Sequence, residues 1–309
     1  MTGTATQSSL NTFQTSRLGL GCASAWGQPW FDEKKAAAII ERALELGINV
    51  FDTGASYSGG NAEPRLGRIL KGKETGRLLV STKIGTRIGN NGALFKDWAP
   101  AHLLESIDLS RTRLGLETIP LVYLHGPAVD TLKQPELFQA LRLAKERGWV
   151  RWFGVNSHDD DVLEALVDID FFDAVMPDYN LLRVDREIVI ERLASSGKMV
   201  FGGAAMANHV HAPRFLWPKN RVDVWYLLRA VKNHRQSYMR ARSLNFLRSV
   251  ADWTPSQIAI GFALLNKNIK TAMFGTTRVS HLEENYAGSD RVFPPGLEEK
   301  IRAVVAPQR

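Results

Sequence analysis

Eight short apolar runs alternate with longer segments along this chain, and this alternation constrains the fold more than any other feature. Each run has the length of a β-strand, and most are rich in Val, Ile, Leu or Phe, as in strands that are buried on both faces. The runs cover residues 17–21, 48–51, 78–82, 121–124, 151–155, 173–176, 199–203 and 271–274. Strands that alternate with amphipathic helices predict a parallel sheet with crossover connections.

The segments between the runs carry helical patterns. Residues 34–46 place several apolar side chains on one face, and Gly47 ends the pattern. Further helices are predicted over residues 100–114, 134–147, 159–167, 185–195 and 280–287. Eight strand–helix units in a chain of 309 residues favour an α/β fold that closes into a (β/α)8 TIM barrel. We therefore predict one barrel domain over residues 1–309, with a short N-terminal extension and an extra C-terminal helix after Pro295.

The seventh unit is irregular, because residues 204–270 separate the last two runs. This insertion holds a loop with Pro and Trp at 212–220, a basic helical stretch at 224–250 and a second helix that starts near Thr254. A loop that follows a barrel strand lies on the catalytic face, so the insertion is expected to shape a substrate pocket. The basic stretch is either a solvated face or a surface that attracts an anionic substrate or partner.

Composition limits the possible partners. The net charge of +7 is compatible with an anionic ligand, but the sequence has no zinc-ligand spacing, RNA-binding motif or block of consecutive basic residues. We therefore predict neither a metal site nor a nucleic-acid partner. No apolar run is long enough for a membrane span, and residues 1–16 lack the features of a secretory signal. The single cysteine, Cys22, excludes an intrachain disulfide and suits a cytoplasmic protein, whose oligomeric state stays open.

Four polar side chains follow the second, third and fourth runs. Asp52 ends the second run, Lys83 ends the third and His125 ends the fourth, while Tyr57 lies in the loop after the second. In a (β/α)8 barrel the active site lies at the carboxyl ends of the strands. We therefore expect these four side chains to converge on one rim of the barrel.

These side chains have complementary chemistry. A phenol is a poor acid at neutral pH, and a neighbouring lysine cation favours its phenolate form. An aspartate beside the lysine would hold that cation in place, and a neutral histidine can donate a hydrogen bond to a carbonyl oxygen. The phenol could then give a proton to this oxygen while a hydride reaches the carbon. Such a site needs neither a metal nor a nucleophile.

The motifs around these residues resemble those of the aldo-keto reductase family. Residues 47–53, followed by Tyr57, Glu63 and Leu66-Gly67, are similar to the first motif of the family, and Lys83 and His125 are similar to the rest of its catalytic tetrad. The likeness extends from about residue 10 to residue 305. It implies a (β/α)8 barrel that binds an extended nicotinamide cofactor, usually NADPH, without a Rossmann domain.

The resemblance also implies a role for each tetrad residue. Tyr57 is the acid/base, Lys83 and Asp52 tune the pKa of its phenol, and His125 orients the substrate. The implied reaction is reduction of an aldehyde, ketone or sugar-like carbonyl. The same tetrad would serve oxidation of an alcohol or sugar with NAD(P)+. A third alternative is a cofactor-holding regulatory subunit without turnover.

Cofactor-binding residues follow from the same resemblance. The segment 154–157 is similar to the one that holds the nicotinamide carboxamide, although Asn156 and Ser157 could instead cap the next helix. A segment after the last strand is similar to the clamp for the adenosine phosphate, and two residues after it resemble the pair that meets the adenine. These residues are Gly275, Thr276, Thr277 and Arg278, followed by Glu284 and Asn285.

Arg278 favours NADPH, because a guanidinium suits multidentate contacts with a 2′-phosphate; NADH is the alternative, and Arg278 could also be a plain surface charge. The sequence departs from the family pattern at several positions: Asn156 and Ser157 stand in swapped order, and Gly275 and His281 stand where the family is often basic. Met176 stands where the sixth strand usually supplies a Gln, and residues 201–205 lack the aromatic side chain that often stacks on the nicotinamide.

Overall fold

The computed structural model describes residues 10–207 and 242–305, together with residues 221, 224 and 228. Its strands are β1 (Leu18–Gly21), β2 (Val50–Asp52), β3 (Leu79–Ile84), β4 (Thr86–Ile88), β5 (Leu94–Lys96), β6 (Ile119–His125), β7 (Val150–Ser157), β8 (Ala174–Pro177), β9 (Met199–Gly202) and β10 (Ile269–Phe274). Eight of them form a closed barrel in the order β1-β10-β9-β8-β7-β6-β3-β2, and every neighbouring pair is parallel. The eight-stranded barrel that the sequence predicts is therefore confirmed.

Helices connect the strands. They are α1 (Ser24–Gly27), α2 (Glu33–Glu45), α3 (Ala62–Leu70), α4 (Pro100–Leu114), α5 (Pro135–Glu146), α6 (Asp160–Val167), α7 (Glu187–Ser195), α8 (Pro255–Leu265), α9 (Val279–Ser289) and α10 (Leu297–Val305). Their ends follow local chemistry: the Asp32 carboxylate caps α2 through the Lys35 amide, and Gly115 ends α4 in the left-handed conformation. The extra helix after Pro295 is α10. None of the helices in the described ranges is both long and apolar enough to span a membrane.

Apolar side chains pack in two layers, one inside the barrel and one between the barrel and its helices. On β6, Leu121 and Tyr123 point into the barrel while Val122 and Leu124 pack outward, as the two-residue period of a strand requires. The N-terminal extension contributes Leu10, which belongs to the interior cluster, and Phe13, whose ring lies 5.9 Å from that of Trp152. The barrel interior is thus a packed core and not a channel.

Several elements were not predicted from the sequence, among them the short helix α1. The strands β4 and β5 pair as an antiparallel hairpin after β3, and α3 lies after β2. The pattern of α3 is hidden by Pro64 and Gly67, which ordinarily mark loops. Gly67 is there for packing, since a Cβ at this position would lie 2.2 Å from the Arg113 carbonyl oxygen of α4.

Most of the predicted basic helix over residues 224–250 lies outside the described residues, as does the loop 212–220. Within it, positions 224 and 228 are helical, and Arg242–Ser249 forms a 3-10 helix. The helix predicted near Thr254 is α8. Thr254 and Gln257 cap the N-terminus of α8, and each side chain accepts a hydrogen bond from the backbone amide of the other residue in a capping box.

Candidate active site

Lys83 and Asp52 lie on the neighbouring strands β3 and β2 and are buried together, with 3% and 7% of their surfaces exposed. The Lys83 ammonium donates hydrogen bonds to Asp52 Oδ2 and, over 2.9 Å, to the Thr53 carbonyl oxygen. Ser81 Oγ donates to the other carboxylate oxygen, Asp52 Oδ1, at 2.8 Å. The aspartate is therefore held by donors on both oxygens, and a buried pair of opposite charges results.

Tyr57 begins the 3-10 helix Tyr57–Gly60 and lies over this pair. Lys83 Nζ is 4.7 Å from the centre of the Tyr57 ring and hydrogen-bonds with the Tyr57 side chain. Burial disfavours the charge on Lys83, but Asp52 and Tyr57 outweigh this cost, so the pKa of Lys83 is raised. A charged ammonium group thus stands beside the phenol at neutral pH.

His125 ends β6 on the same rim, as the sequence predicts. Its ring meets the Tyr57 ring edge-on, with the ring centres 5.6 Å apart and an interplanar angle of 80°. Burial, which is the largest cause, and the charges of Lys83, Lys96 and His158 together lower the pKa of His125 to about 3. The imidazole is therefore neutral at pH 7, the form that can donate a hydrogen bond without carrying a charge.

The hairpin β4–β5 adds two residues that the sequence analysis missed. Thr86 Oγ1 lies 3.2 Å from His125 Nδ1. Lys96 Nζ donates to Thr86 Oγ1 over 3.0 Å and also to the carbonyl oxygen of His125. No motif in the sequence indicates this contact, because it depends on how the hairpin folds back over β6. Ser81 had a usable signal, since it lies two residues before Lys83 on one strand and shares its face.

A second polar pair, also missed, follows the next two strands. His158 Nδ1 lies 2.8 Å from Asp178 Oδ2, and the His158 side chain is 67% exposed. The hydrogen bond with Asp178 raises the pKa of His158. Both residues come directly after the observed strands β7 and β8, but the predicted runs end at residues 155 and 176, so the residue after each run was not His158 or Asp178.

Asn156 and Ser157 lie buried at the end of β7. Asn156 Nδ2 donates to the Met176 carbonyl oxygen at 2.8 Å, and Ser157 Oγ accepts from the Asp159 amide at 3.1 Å. The residue that caps α6 is Asp159, so the alternative in which Asn156 or Ser157 caps this helix is wrong. Neither contact uses the Asn156 amide oxygen or the Ser157 hydroxyl hydrogen, and both remain suited to an amide ligand.

The predicted phosphate clamp follows β10. Thr276 Oγ1 accepts from the Arg278 amide at 3.2 Å, and the two residues, with Gly275 and Thr277, form a turn at the start of α9. The Arg278 side chain is exposed. Among residues 10–207 and 242–305, no hydrogen bond or ion pair engages its guanidinium. A free guanidinium beside the amides of a helix N-terminus suits a phosphate.

Asn285 and Glu284 lie on α9. Asn285 is buried, its amide nitrogen is 3.5 Å from Met206 Sδ, and its oxygen Oδ1 has no partner in the described part of the chain. Glu284 Oε1 accepts from Thr254 Oγ1 at 2.6 Å. A buried amide oxygen without a donor costs about 1–3 kcal/mol, so Asn285 is poised to meet the donor of a ligand. The residues at this end of the barrel therefore fit a dinucleotide.

Comparison with known proteins agrees with this fold. The model of the aldo/keto reductase family matches residues 17–305. A probable voltage-gated potassium channel subunit beta from Arabidopsis thaliana is 25% identical over 94% of this chain and 93% of its own. The NADH-specific methylglyoxal reductase of Escherichia coli (strain K12) is 29% identical over 54% of this chain and 56% of its own. The holo form of an aldo-keto reductase from Bacillus halodurans superposes with a TM-score of 0.75 and 25% identity, covering 94% of this chain and 92% of that one.

The closed (β/α)8 barrel and the match to the family model define an oxidoreductase that acts on carbonyls. The chain belongs to the aldo/keto reductase family, as the resemblance of its motifs predicts. It is therefore an NAD(P)H-dependent oxidoreductase that acts on carbonyl compounds.

Proposed function

We propose that this protein reduces an aldehyde, ketone or sugar-like carbonyl to an alcohol with NADPH, and that Tyr57 donates the proton to the carbonyl oxygen. The observation that carries the proposal is the buried Lys83 ammonium, which contacts the Asp52 carboxylate and the Tyr57 phenol together. A cation beside a phenol stabilises the phenolate that proton donation leaves behind. Asp52 keeps the cation in place without entering the reaction.

The other residues orient the reactants. When bound, NADPH supplies the hydride, which no side chain of the protein can provide. The neutral His125 ring donates a hydrogen bond to the carbonyl oxygen and thereby directs it toward the Tyr57 hydroxyl. Asn156 and Ser157 would hold the carboxamide of the nicotinamide, and Glu284 and Asn285 would hold the adenine. Gly275, Thr276, Thr277 and Arg278 would hold the 2′-phosphate.

The preference for NADPH over NADH depends on the 2′-phosphate, and Arg278 is the residue we expect to recognise it. Titration with each cofactor can be followed by the fluorescence of the eight tryptophans. We expect tighter binding of NADPH, and we expect Arg278→Ala to weaken NADPH binding about 10- to 100-fold, the worth of a charge-assisted hydrogen bond, with little effect on NADH. Arg17→Ala is the matched control, because Arg17 pairs with Asp290 beyond the other end of α9. Equal binding of the two cofactors would contradict the predicted clamp.

The role of Tyr57 is tested by Tyr57→Phe, which removes only the hydroxyl group. We expect NADPH binding to be retained and turnover to fall by about 10²- to 10⁴-fold, the usual worth of a positioned acid. Single-turnover and cofactor-binding measurements on the same preparation separate the two effects. A Tyr57→Phe variant with full activity would overturn the mechanism.

Two other functions use the same site. The tetrad serves oxidation of an alcohol with NADP+ equally well, and a comparison of both directions at matched substrate concentrations decides which is faster. Two observations support a regulatory subunit without turnover as an alternative. One is the similarity to the probable voltage-gated potassium channel subunit beta of Arabidopsis thaliana, and the other is Met176 together with the Gly202-Gly203 pair at the nicotinamide end. NADPH binding without reduction of any carbonyl across a broad panel would support this alternative.

We also propose a cytoplasmic location and a small-molecule substrate. Cys22 is the single cysteine, and burial together with the nearby Asp52 raises the pKa of its thiol. A buried thiol of this kind is unreactive, which suits a packing role in a reducing compartment.

A further inference from the structure

The hairpin β4–β5 connects a lysine to the substrate-orienting histidine through one hydroxyl group. Lys96 Nζ lies 3.0 Å from Thr86 Oγ1, and Thr86 Oγ1 lies 3.2 Å from His125 Nδ1. Lys96 also donates to the main-chain carbonyl oxygen of His125. The hairpin therefore contacts His125 at both its backbone carbonyl and its ring nitrogen Nδ1.

The direction of these hydrogen bonds follows from counting hydrogens. An ammonium group has three donors and no acceptor, so Thr86 Oγ1 accepts from Lys96. The Thr86 hydroxyl then has its own hydrogen to donate. Within the described ranges the acceptor in reach of that hydrogen is His125 Nδ1. When Nδ1 accepts, the hydrogen of the neutral imidazole is on Nε2.

The charges around His125 favour the same arrangement. The groups that face it are the cations Lys83, Lys96 and His158 and the phenol of Tyr57, and the carboxylates of Asp52 and Asp178 are engaged by Lys83 and His158. The ammonium groups of Lys83 and Lys96 oppose a second proton on the ring, and so does His158 when it is protonated. An ammonium group on the Nδ1 side also favours a lone pair on Nδ1 over an N–H group, because the lone pair carries the negative end of the ring dipole.

We propose that Thr86 and Lys96 are positioning residues that fix His125 in the tautomer with its hydrogen on Nε2. The donor that the proposed function requires is then Nε2, the ring nitrogen that is not in contact with Thr86. The inference rests on the proposed function for its catalytic meaning. The tautomer itself is a property of the protein alone and can be measured without any turnover.

The decisive measurement is the ¹⁵N spectrum of the imidazole nitrogens in protein labelled at histidine, near pH 7.5, with and without NADPH. A long-range ¹H–¹⁵N correlation separates protonated from unprotonated ring nitrogens. His125→Gln identifies the signals of His125 among those of the seven histidines. We expect Nδ1 of His125 at the position of an unprotonated nitrogen and Nε2 at that of a protonated one.

Variants test which contacts fix the tautomer. Thr86→Val removes the hydroxyl and keeps the shape, so we expect the two nitrogen shifts of His125 to move toward each other as the second tautomer becomes populated. Thr86→Ser keeps the hydroxyl and should restore the wild-type spectrum, while Lys96→Met should give an intermediate effect. Arg87→Met is the matched control, because it removes a cation of the same hairpin that pairs with Asp97 and not with Thr86.

Kinetics give the second readout. With NADPH and a carbonyl substrate, we expect Thr86→Val to lower kcat about 10-fold with a small effect on cofactor binding, and Thr86→Ser to restore it. A hydrogen on Nδ1 in the wild-type protein, or unchanged shifts in both Thr86→Val and Lys96→Met, overturns the inference while leaving the proposed function standing. Full activity of Tyr57→Phe with the expected spectrum would instead refute the proposed function and leave the tautomer assignment intact.

Discussion

The buried pair of Lys83 and Asp52 serves both the chemistry and the stability of this site. Both charges are buried, and each would cost several kcal/mol if it were left alone. Their contact, together with the hydrogen bonds from Ser81 and to the Thr53 carbonyl, offsets this cost. A Lys83→Met variant would therefore leave the Asp52 carboxylate unpaired and would lose stability as well as activity. Tyr57→Phe is the sharper test of catalysis because it leaves this pair intact.

The His158–Asp178 pair makes stability depend on pH, and the direction follows from the raised pKa of His158. A group whose pKa is higher in the folded state stabilises the protein fully below its unfolded pKa of about 6.5, and this contribution is lost as the pH rises through the folded value. We expect the stability difference between wild type and His158→Gln to be larger at pH 5.5 than at pH 9. Because the His158 side chain is 67% exposed, the difference should be below about 1 kcal/mol.

Two measurements check this expectation. Urea unfolding at the two pH values gives the stability difference directly, and an NMR titration gives the pKa of His158. Asp178→Asn keeps the shape of the partner and removes its charge, so the pKa of His158 should fall in that variant. An unchanged titration curve of His158 in Asp178→Asn would show that the Asp178 carboxylate does not raise the pKa of His158.

At the scale of elements, the strands were predictable and the hairpin was not. Barrel strands are buried on both faces, so they appear in the sequence as continuous apolar runs, and the residue after each run marks the catalytic rim. The hairpin β4–β5 carries its apolar side chains outward, with Leu94 60% and Phe95 48% exposed, so burial leaves no such pattern. Asp52, Lys83 and His125 could therefore be predicted as a group, while Thr86 and Lys96 could not.

The helix α3 also could not be predicted from the sequence pattern, because its Gly67 is required for close packing against α4. In an exposed helix, Gly→Ala would stabilise by about 1 kcal/mol. At position 67 we expect the opposite, a loss of about 1–3 kcal/mol, because the new Cβ would lie 2.2 Å from the Arg113 carbonyl oxygen and a backbone would have to move. The free energy of unfolding from urea titration measures the change.

Gly76→Ala is the control for this substitution. No heavy atom lies within 4 Å of a Cβ built at Gly76, so its effect should be close to zero. A stabilised Gly67→Ala variant would show that α3 and α4 are far enough apart to accommodate a Cβ at position 67.

At the scale of the whole molecule, the two ends of the barrel have different tasks. Titratable and polar side chains gather at the carboxyl ends of the strands, where Asp52, Lys83 and His125 lie. The opposite end is closed by the N-terminal extension, through buried Leu10 and the contact of Phe13 with Trp152. Asn11 adds a hydrogen bond of 2.7 Å to the Gly197 carbonyl oxygen. Stability and catalysis should therefore be separable by mutation.

Leu10→Ala tests this separation. Leu10 is 1% exposed inside the barrel cluster, so its truncation should lower the free energy of unfolding by about 2–5 kcal/mol. The tetrad lies at the other end of a packed core, so kcat and KM at a temperature well below the unfolding transition should stay at wild-type values. Ile188→Ala, at a residue 72% exposed on α7, is the control for loss of an aliphatic side chain and should change neither quantity. A fall in kcat in the folded Leu10→Ala variant would mean that the barrel transmits strain from its base to its catalytic rim, so that the two ends do not act independently.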